Sequence, residues 1–190
     1  MVGLSGSSAP HYGIALLEVL AGLGTVETHL VVSPSAERTI QIETGRDLAS
    51  VRALADVYHD SRDLAAPVAS GSFRTSGMVV VPCSMKTLAS VAHGLSADLL
   101  SRACDVALKE RRRLVLVPRE TPLSLIHLRN MVAVTEAGAV VLPPVPAFYH
   151  RPRTIDDLIA QTVGKILDQF GIDHDVFDRW EGPEPAGERS

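Results

Sequence analysis

The run Leu114-Val115-Leu116-Val117 is continuously apolar and has charge close to both ends, Arg111-Arg112-Arg113 before it and Arg119-Glu120 after it. A short strand that is apolar on both faces must be covered on both, which is the condition of an interior strand in a parallel sheet. The flanks read as the end of one helix and the start of another, with Thr121-Pro122 as its N-cap and first-turn proline. In open α/β sheets ligands bind in the crevice outside the carboxyl ends of the strands. Arg119 is therefore placed for a phosphate beside a helix N-terminus. Glu120 beside it repels phosphate. A ligand that carries a phosphate and also exchanges a proton needs both.

Segments of the same kind recur along the chain. Residues 1–5 are a short first strand, followed by a Gly6-Ser7-Ser8-Ala9-Pro10 turn and a helix over 11–23. Residues 27–32 are a second strand that ends at Ser33-Pro34, and helices over 36–43 and 47–57 follow. The polar stretch 61–77 is predicted irregular. A third strand at 78–81 leads through helices over 85–93 and 97–112 to the run at Leu114. A helix over 123–137, a strand at 139–142 and a helix over 154–170 complete the order. Leu99, Leu100, Ala103, Cys104, Ala107 and Leu108 form an apolar stripe at helical spacing, as do Ile155, Leu158, Ile159, Val163, Ile166, Leu167 and Phe170. Strands alternating with helices predict one doubly wound parallel sheet with right-handed crossovers. The domain is expected over 1–180, and the Pro-, Gly- and charge-rich tail 181–190 is expected to be disordered.

Composition narrows the function. A chain of 190 residues with 46% hydrophobic content and a mean hydropathy of +0.17 is rich in apolar surface and has no transmembrane run, so an oligomer is expected. The net charge of -4 gives no polyanion signal and argues against nucleic acid. Cys83 and Cys104 fall in predicted buried elements and suit a reducing compartment. With no secretion signal visible, a cytoplasmic protein is expected.

Four strand ends gather chemistry. Gly6-Ser7-Ser8 is either a ligand loop or a plain strand-to-helix connection; it is not the GxGxxG fingerprint. Ser33 before proline reads first as a helix cap. Ser84-Met85-Lys86-Thr87 brings hydroxyls, backbone N–H groups and a lysine to a helix start, a good anion nest, and it lacks the glycines of a Walker A loop. Arg119-Glu120 is the fourth, with a structural ion pair to Arg129 as its alternative. There is no CxxC pair, HExxH helix or GxSxG elbow, and no spaced aspartates to hold magnesium on a diphosphate, so no metal is expected. The stiff Pro143-Pro144-Val145-Pro146 loop delivers Phe148 and Tyr149 to one place with little entropy left to lose.

Taken together, Pro82-Cys83-Ser84-Met85-Lys86-Thr87-Leu88, the stretch from Arg102-Ala103-Cys104-Asp105 through Lys109-Glu110-Arg111-Arg112, the run from Leu114 to Pro122, and Pro143-Pro144-Val145-Pro146-Ala147-Phe148-Tyr149 resemble the UbiX family of flavin prenyltransferases over nearly the whole chain. The resemblance implies a flavodoxin- or Rossmann-like domain assembled as a homododecamer. It implies transfer of a dimethylallyl group from dimethylallyl monophosphate to N5 and C6 of reduced FMN, without a metal. The prenylated FMN produced would serve UbiD-type decarboxylases, including the one in ubiquinone biosynthesis. By the same resemblance Ser8 lies near the flavin N5, and Gly6, Ser7, Ser33, Ser84, Met85, Lys86, Thr87 and Arg119 hold FMN. Lys109, Tyr149 and Lys165 bind the donor phosphate, partly across subunits. Ser8, Glu43 and Glu120 are the catalytic set, the two glutamates serving as acid and base. The family turn is usually Gly-Ala-Ser-Gly; here it is Gly6-Ser7-Ser8-Ala9, followed by Pro10-His11. Lys165 stands where arginine is more frequent, which keeps charge and loses bidentate geometry. The nearest alternatives are an FMN-dependent decarboxylase of the cysteine-decarboxylase family, whose Pro-Ala-Ser-Ala-Asn-Thr motif is absent, and a non-enzymatic FMN carrier.

Overall fold

A computed structural model describes residues 1–180 and Gly182, so the tail expected from Glu181 onward lies, Gly182 apart, outside the described residues. Six strands, β1 (Val2–Leu4), β2 (His29–Val32), β3 (Val57–Asp60), β4 (Gly77–Cys83), β5 (Arg113–Pro118) and β6 (Val140–Val141), pair in parallel. Their order is β3-β2-β1-β4-β5-β6, the Rossmann arrangement. The helices are α1 (His11–Leu23), α2 (Pro34–Thr44), α3 (Leu48–Arg52), α4 (Met85–Ala92), α5 (Leu99–Lys109), α6 (Leu125–Glu136) and α7 (Ile155–Gln169). The winding reverses between β1 and β4, and that is where a crevice opens.

The continuous apolar runs are explained by the two cores. Val79, Val81, Val115 and Val117 pack on one face of the sheet with Leu4, Leu17 and Ile166. Met78, Val80, Leu114 and Leu116 pack on the other with Leu88, Leu100, Cys104 and Val134. Because both faces are dry, no polar residue alternates with the apolar ones. A Cβ at Gly13 would run into the Val81 carbonyl, so glycine lets α1 lie hard against the sheet.

Three expectations are corrected. The segment 47–57 is not one helix. It is the five-residue α3, capped by Asp47, and then β3, where Val57-Tyr58-His59-Asp60 pairs with β2 from His29↔Val57 to Val32↔Asp60. Four residues at a sheet edge carry too little pattern of their own, and pairing decides their conformation. The helix expected to reach Arg112 ends at Lys109, because Arg111 takes a left-handed φ of 55° and Arg112 N–H closes back on the Ala107 carbonyl at 2.8 Å. Thr121-Pro122 does not open α6. Ser124 caps that helix in a reciprocal box with His127, and residues 119–123 become a loop over the carboxyl end of β5. Thr154 and Asp157 form a reciprocal capping box at the start of α7. Among the described residues no helix is long and apolar enough to cross a membrane.

Candidate active site

The carboxyl ends of β1, β4 and β5 are laced together at the switch point. Ser5, buried at the end of β1, donates its hydroxyl to the Pro82 carbonyl at 3.0 Å and accepts the Ser84 N–H at 2.7 Å. The Arg119 N–H donates to the Cys83 carbonyl at 3.3 Å. These bonds place the start of α4 and the Arg119-Glu120 loop side by side.

The β1–α1 turn stands over this junction. Ser7 donates its hydroxyl to the Arg119 carbonyl at 2.8 Å. Ala9 has a left-handed φ of 69°, and its N–H donates to Glu43 Oε2 at 2.8 Å. Glu43 lies near the far end of α2, whereas Ser33 caps the near end by accepting the Ala36 N–H at 3.2 Å. Ser33 N–H is in turn held by the Leu4 carbonyl at 3.0 Å. A Cβ on Gly6 would collide with Ser35. Both ends of α2 thus touch the region of the β1–α1 turn, and the helix lies across the carboxyl end of the sheet.

At the start of α4, Ser84 accepts the Thr87 N–H at 3.2 Å, and its hydroxyl lies 3.0 Å from Thr87 Oγ1. The Met85 and Lys86 amides precede the first intrahelical bond, and Lys86 is exposed, so this end presents donors and a cation to the crevice. Glu120 is exposed, and its Oε1 accepts the Thr121 N–H at 3.0 Å. Among the described residues neither Arg119 nor Glu120 forms an ion pair, so the alternative pairing with Arg129 is not made. Cys83 sits at the same strand end but is fully buried, and burial pushes its thiol up to about 12. It is no nucleophile there. Ser8 is half-buried in the turn.

Two of the expected residues, Lys109 and Lys165, stand at the amino end of the sheet, away from this crevice. Lys109 ends α5, which feeds the amino end of β5; it pairs with Glu110 against Gly71. Lys165 lies toward the end of α7 where Phe170 approaches Gly77 at the amino end of β4, and it pairs with Asp168 at 3.4 Å. Tyr149 accepts the Gln161 side-chain N–H at 3.2 Å and meets Trp180 edge-on.

Residues 1–167 match the Flavoprotein family. The chain is 56% identical over 184 residues to the flavin prenyltransferase UbiX of Escherichia coli (strain K12), covering 96% of this chain and 97% of that protein. It is 57% identical over 184 residues to the flavin prenyltransferase UbiX of Thauera aromatica, covering 97% and 94%. The chain belongs to the UbiX family of flavin prenyltransferases. Among solved UbiX-type structures, AnUbiX (PadA1) in complex with FMN and dimethylallyl pyrophosphate superposes with a TM-score of 0.94 at 58% identity, covering 96% of this chain and 97% of that one. A dodecameric FMN-dependent UbiX-like decarboxylase from Escherichia coli O157:H7 gives 0.93 at 51%, covering 95% and 98%. The peptidyl-cysteine decarboxylase EpiD gives 0.61 at 13%, a likeness of fold alone.

Against this UbiX background, two contributors to the crevice were not singled out from sequence. Ser5 carried one available signal, a hydroxyl directly at the end of an apolar strand. The role of the Ala9 N–H carried none, because a backbone donor is the same in every residue but proline.

Proposed function

We propose that this protein transfers a dimethylallyl group from dimethylallyl monophosphate to reduced FMN: N5 displaces phosphate at the allylic carbon and loses its proton, the alkene takes up a proton and bonds to C6, and C6 loses its own proton, so that the flavin gains C5H8 and hydrogen phosphate leaves. The observation that carries the reading is the convergence of Ser7, Ser8, Glu43, the Ser84–Thr87 helix start and Arg119-Glu120 at the switch point. These residues fit a flavin mononucleotide. The donors at the start of α4, with Lys86 and Arg119, suit its phosphate, while Gly6, Ser8 and Ser33 border the space beside them. Bound reduced FMN supplies the nucleophilic N5 and C6.

The remaining chemistry falls to the chain. A monophosphate is a poor leaving group, so cationic side chains and a proton must stabilise it as the allylic carbon gains positive charge. Lys109, Tyr149 and Lys165 are assigned to that phosphate. The place of Lys109 and Lys165 at the amino end of the sheet supports their acting in a neighbouring subunit's site. Glu120 and Glu43 are assigned to hold and move the protons at the leaving phosphate, the alkene and C6, and Ser8 is assigned to N5. The charge of the donor is met by side chains, with no metal in the mechanism.

A homododecamer is the assembly we assign. α6 leaves Leu125, Ile126, Leu128 and Val132 exposed, a face that a lone chain in water keeps poorly. The buried thiols of Cys83 and Cys104 suit the cytoplasm. The product, prenylated FMN, goes to a UbiD-type decarboxylase. The test is to incubate an apo UbiD-type decarboxylase anaerobically with this protein, reduced FMN and either the monophosphate or the pyrophosphate donor. Decarboxylation is expected with the monophosphate, and none without this protein.

A further inference from the structure

The β1–α1 turn contains a strained residue that the chemistry of transfer does not account for. At φ 69° the Cβ of Ala9 crowds the backbone, a conformation that glycine alone adopts freely. A turn with alanine there reaches its working shape less readily than one with glycine, and bonds from outside must hold it. Glu43 supplies one by accepting the Ala9 N–H at 2.8 Å. Ser7 supplies the other, reaching 112 residues along the chain to the Arg119 carbonyl at 2.8 Å.

The Ser7 bond has a second consequence. The carbonyl it takes belongs to the peptide that leads into Glu120, and the N–H of Arg119 is already held by the Cys83 carbonyl. The Arg119-Glu120 segment is therefore gripped from β4 on one side and from the β1–α1 turn on the other. The one proton of the Ser7 hydroxyl is spent on this contact, so it has none left to donate to a flavin.

We infer that Ser7 is a positioning residue: its hydroxyl latches the strained Ala9 turn to the Arg119-Glu120 peptide and so sets Ser8 and Glu120 at their working separation. This rests on the prenyl-transfer reading for its catalytic consequence, though not for its effect on the flavin site. If the latch offsets the strain, its removal must matter more with Ala9 than with glycine, because a relaxed turn keeps its shape unaided. The apparent affinity falls by the fraction of molecules holding the competent turn.

The test is a double-mutant cycle of Ser7→Ala and Ala9→Gly, with Ser7→Thr as the conservative variant. FMN affinity is read by flavin fluorescence and kcat by prenylated-flavin formation, with thermal unfolding confirming that each variant is folded. Ser7→Ala alone is expected to weaken FMN about fivefold and to lower kcat by about tenfold, and the penalty in the Ala9→Gly background should shrink at least about threefold. Ser7→Thr is expected to recover most of the loss. Equal penalties in both backgrounds, or a threonine variant no better than alanine, would overturn the latch. A parent protein that bound FMN but made no prenylated flavin would end the prenyl-transfer reading instead, and the latch would then be judged on the FMN cycle alone.

Discussion

The carboxylate of Glu43, on the last turn of α2, accepts the backbone N–H of Ala9 at 2.8 Å. One oxygen of the side chain is thereby anchored to the β1–α1 turn, and the other is left for chemistry. Glu43→Gln keeps an acceptor for the Ala9 N–H and removes the proton exchange. FMN affinity should stay within about threefold, while kcat falls by roughly 100-fold, the usual scale for one acid–base group. Titrating FMN and timing single turnovers on the same preparation separates the two effects.

Glu120 makes a different case. Its carboxylate leans on the adjacent Thr121 N–H and forms no ion pair among the described residues, so its charge is not committed to holding the fold. Glu120→Gln is expected to bind FMN normally, to unfold at nearly the parent temperature, and to prenylate at least about 100-fold more slowly. Product formation at the parent rate would remove Glu120 from the acid–base pair.

Much of this was legible in the sequence, for physical reasons. Met78–Val81 and Leu114–Val117 lie between two dry cores, so their apolar runs announced interior parallel strands. The meeting of the start of α4 with the loop after β5 was legible because crevices in such sheets open outside the carboxyl ends of the strands. β3 escaped because Val57–Asp60 is a short edge strand whose conformation comes from pairing with β2. The start of α6 escaped because Thr121-Pro122 and Ser124 offer competing caps, and the reciprocal bonds of Ser124 with His127 decide between them. Lys109, Tyr149 and Lys165 were expected at the donor phosphate from family resemblance alone, and one chain's fold leaves Lys109 and Lys165 at the amino end of the sheet.

Asp168 gives the fold a defined acid sensitivity. Arg179, then His174 and Lys165, hydrogen-bond its carboxyl and hold it down at about 2. A carboxylate lowered in the folded state adds stability that is full above its ordinary range near 4 and is lost as pH falls toward 2. Thermal unfolding midpoints should therefore drop between pH 4 and 2, and the drop should be smaller in Asp168→Asn. An identical pH profile in the variant would remove this carboxylate from the acid response.

The exposed face of α6 is open to a simpler test. Ile126 is 69% exposed in the single chain, and a charge there costs the monomer little. Ile126→Glu is expected to shift the species seen by sedimentation velocity from a dodecamer to smaller assemblies, with the circular dichroism of the fold retained. A dodecamer that survives this change together with Val132→Glu would place the contacts elsewhere.

Prenyl transfer changes the flavin covalently, and mass spectrometry reads that change. Reduced FMN and dimethylallyl monophosphate are incubated anaerobically with catalytic protein, and the flavin is extracted and weighed. The flavin is expected to gain one C5H8 unit, with phosphate released in equal amount. A flavin whose mass remains that of FMN, from protein shown to bind it, would contradict the assignment.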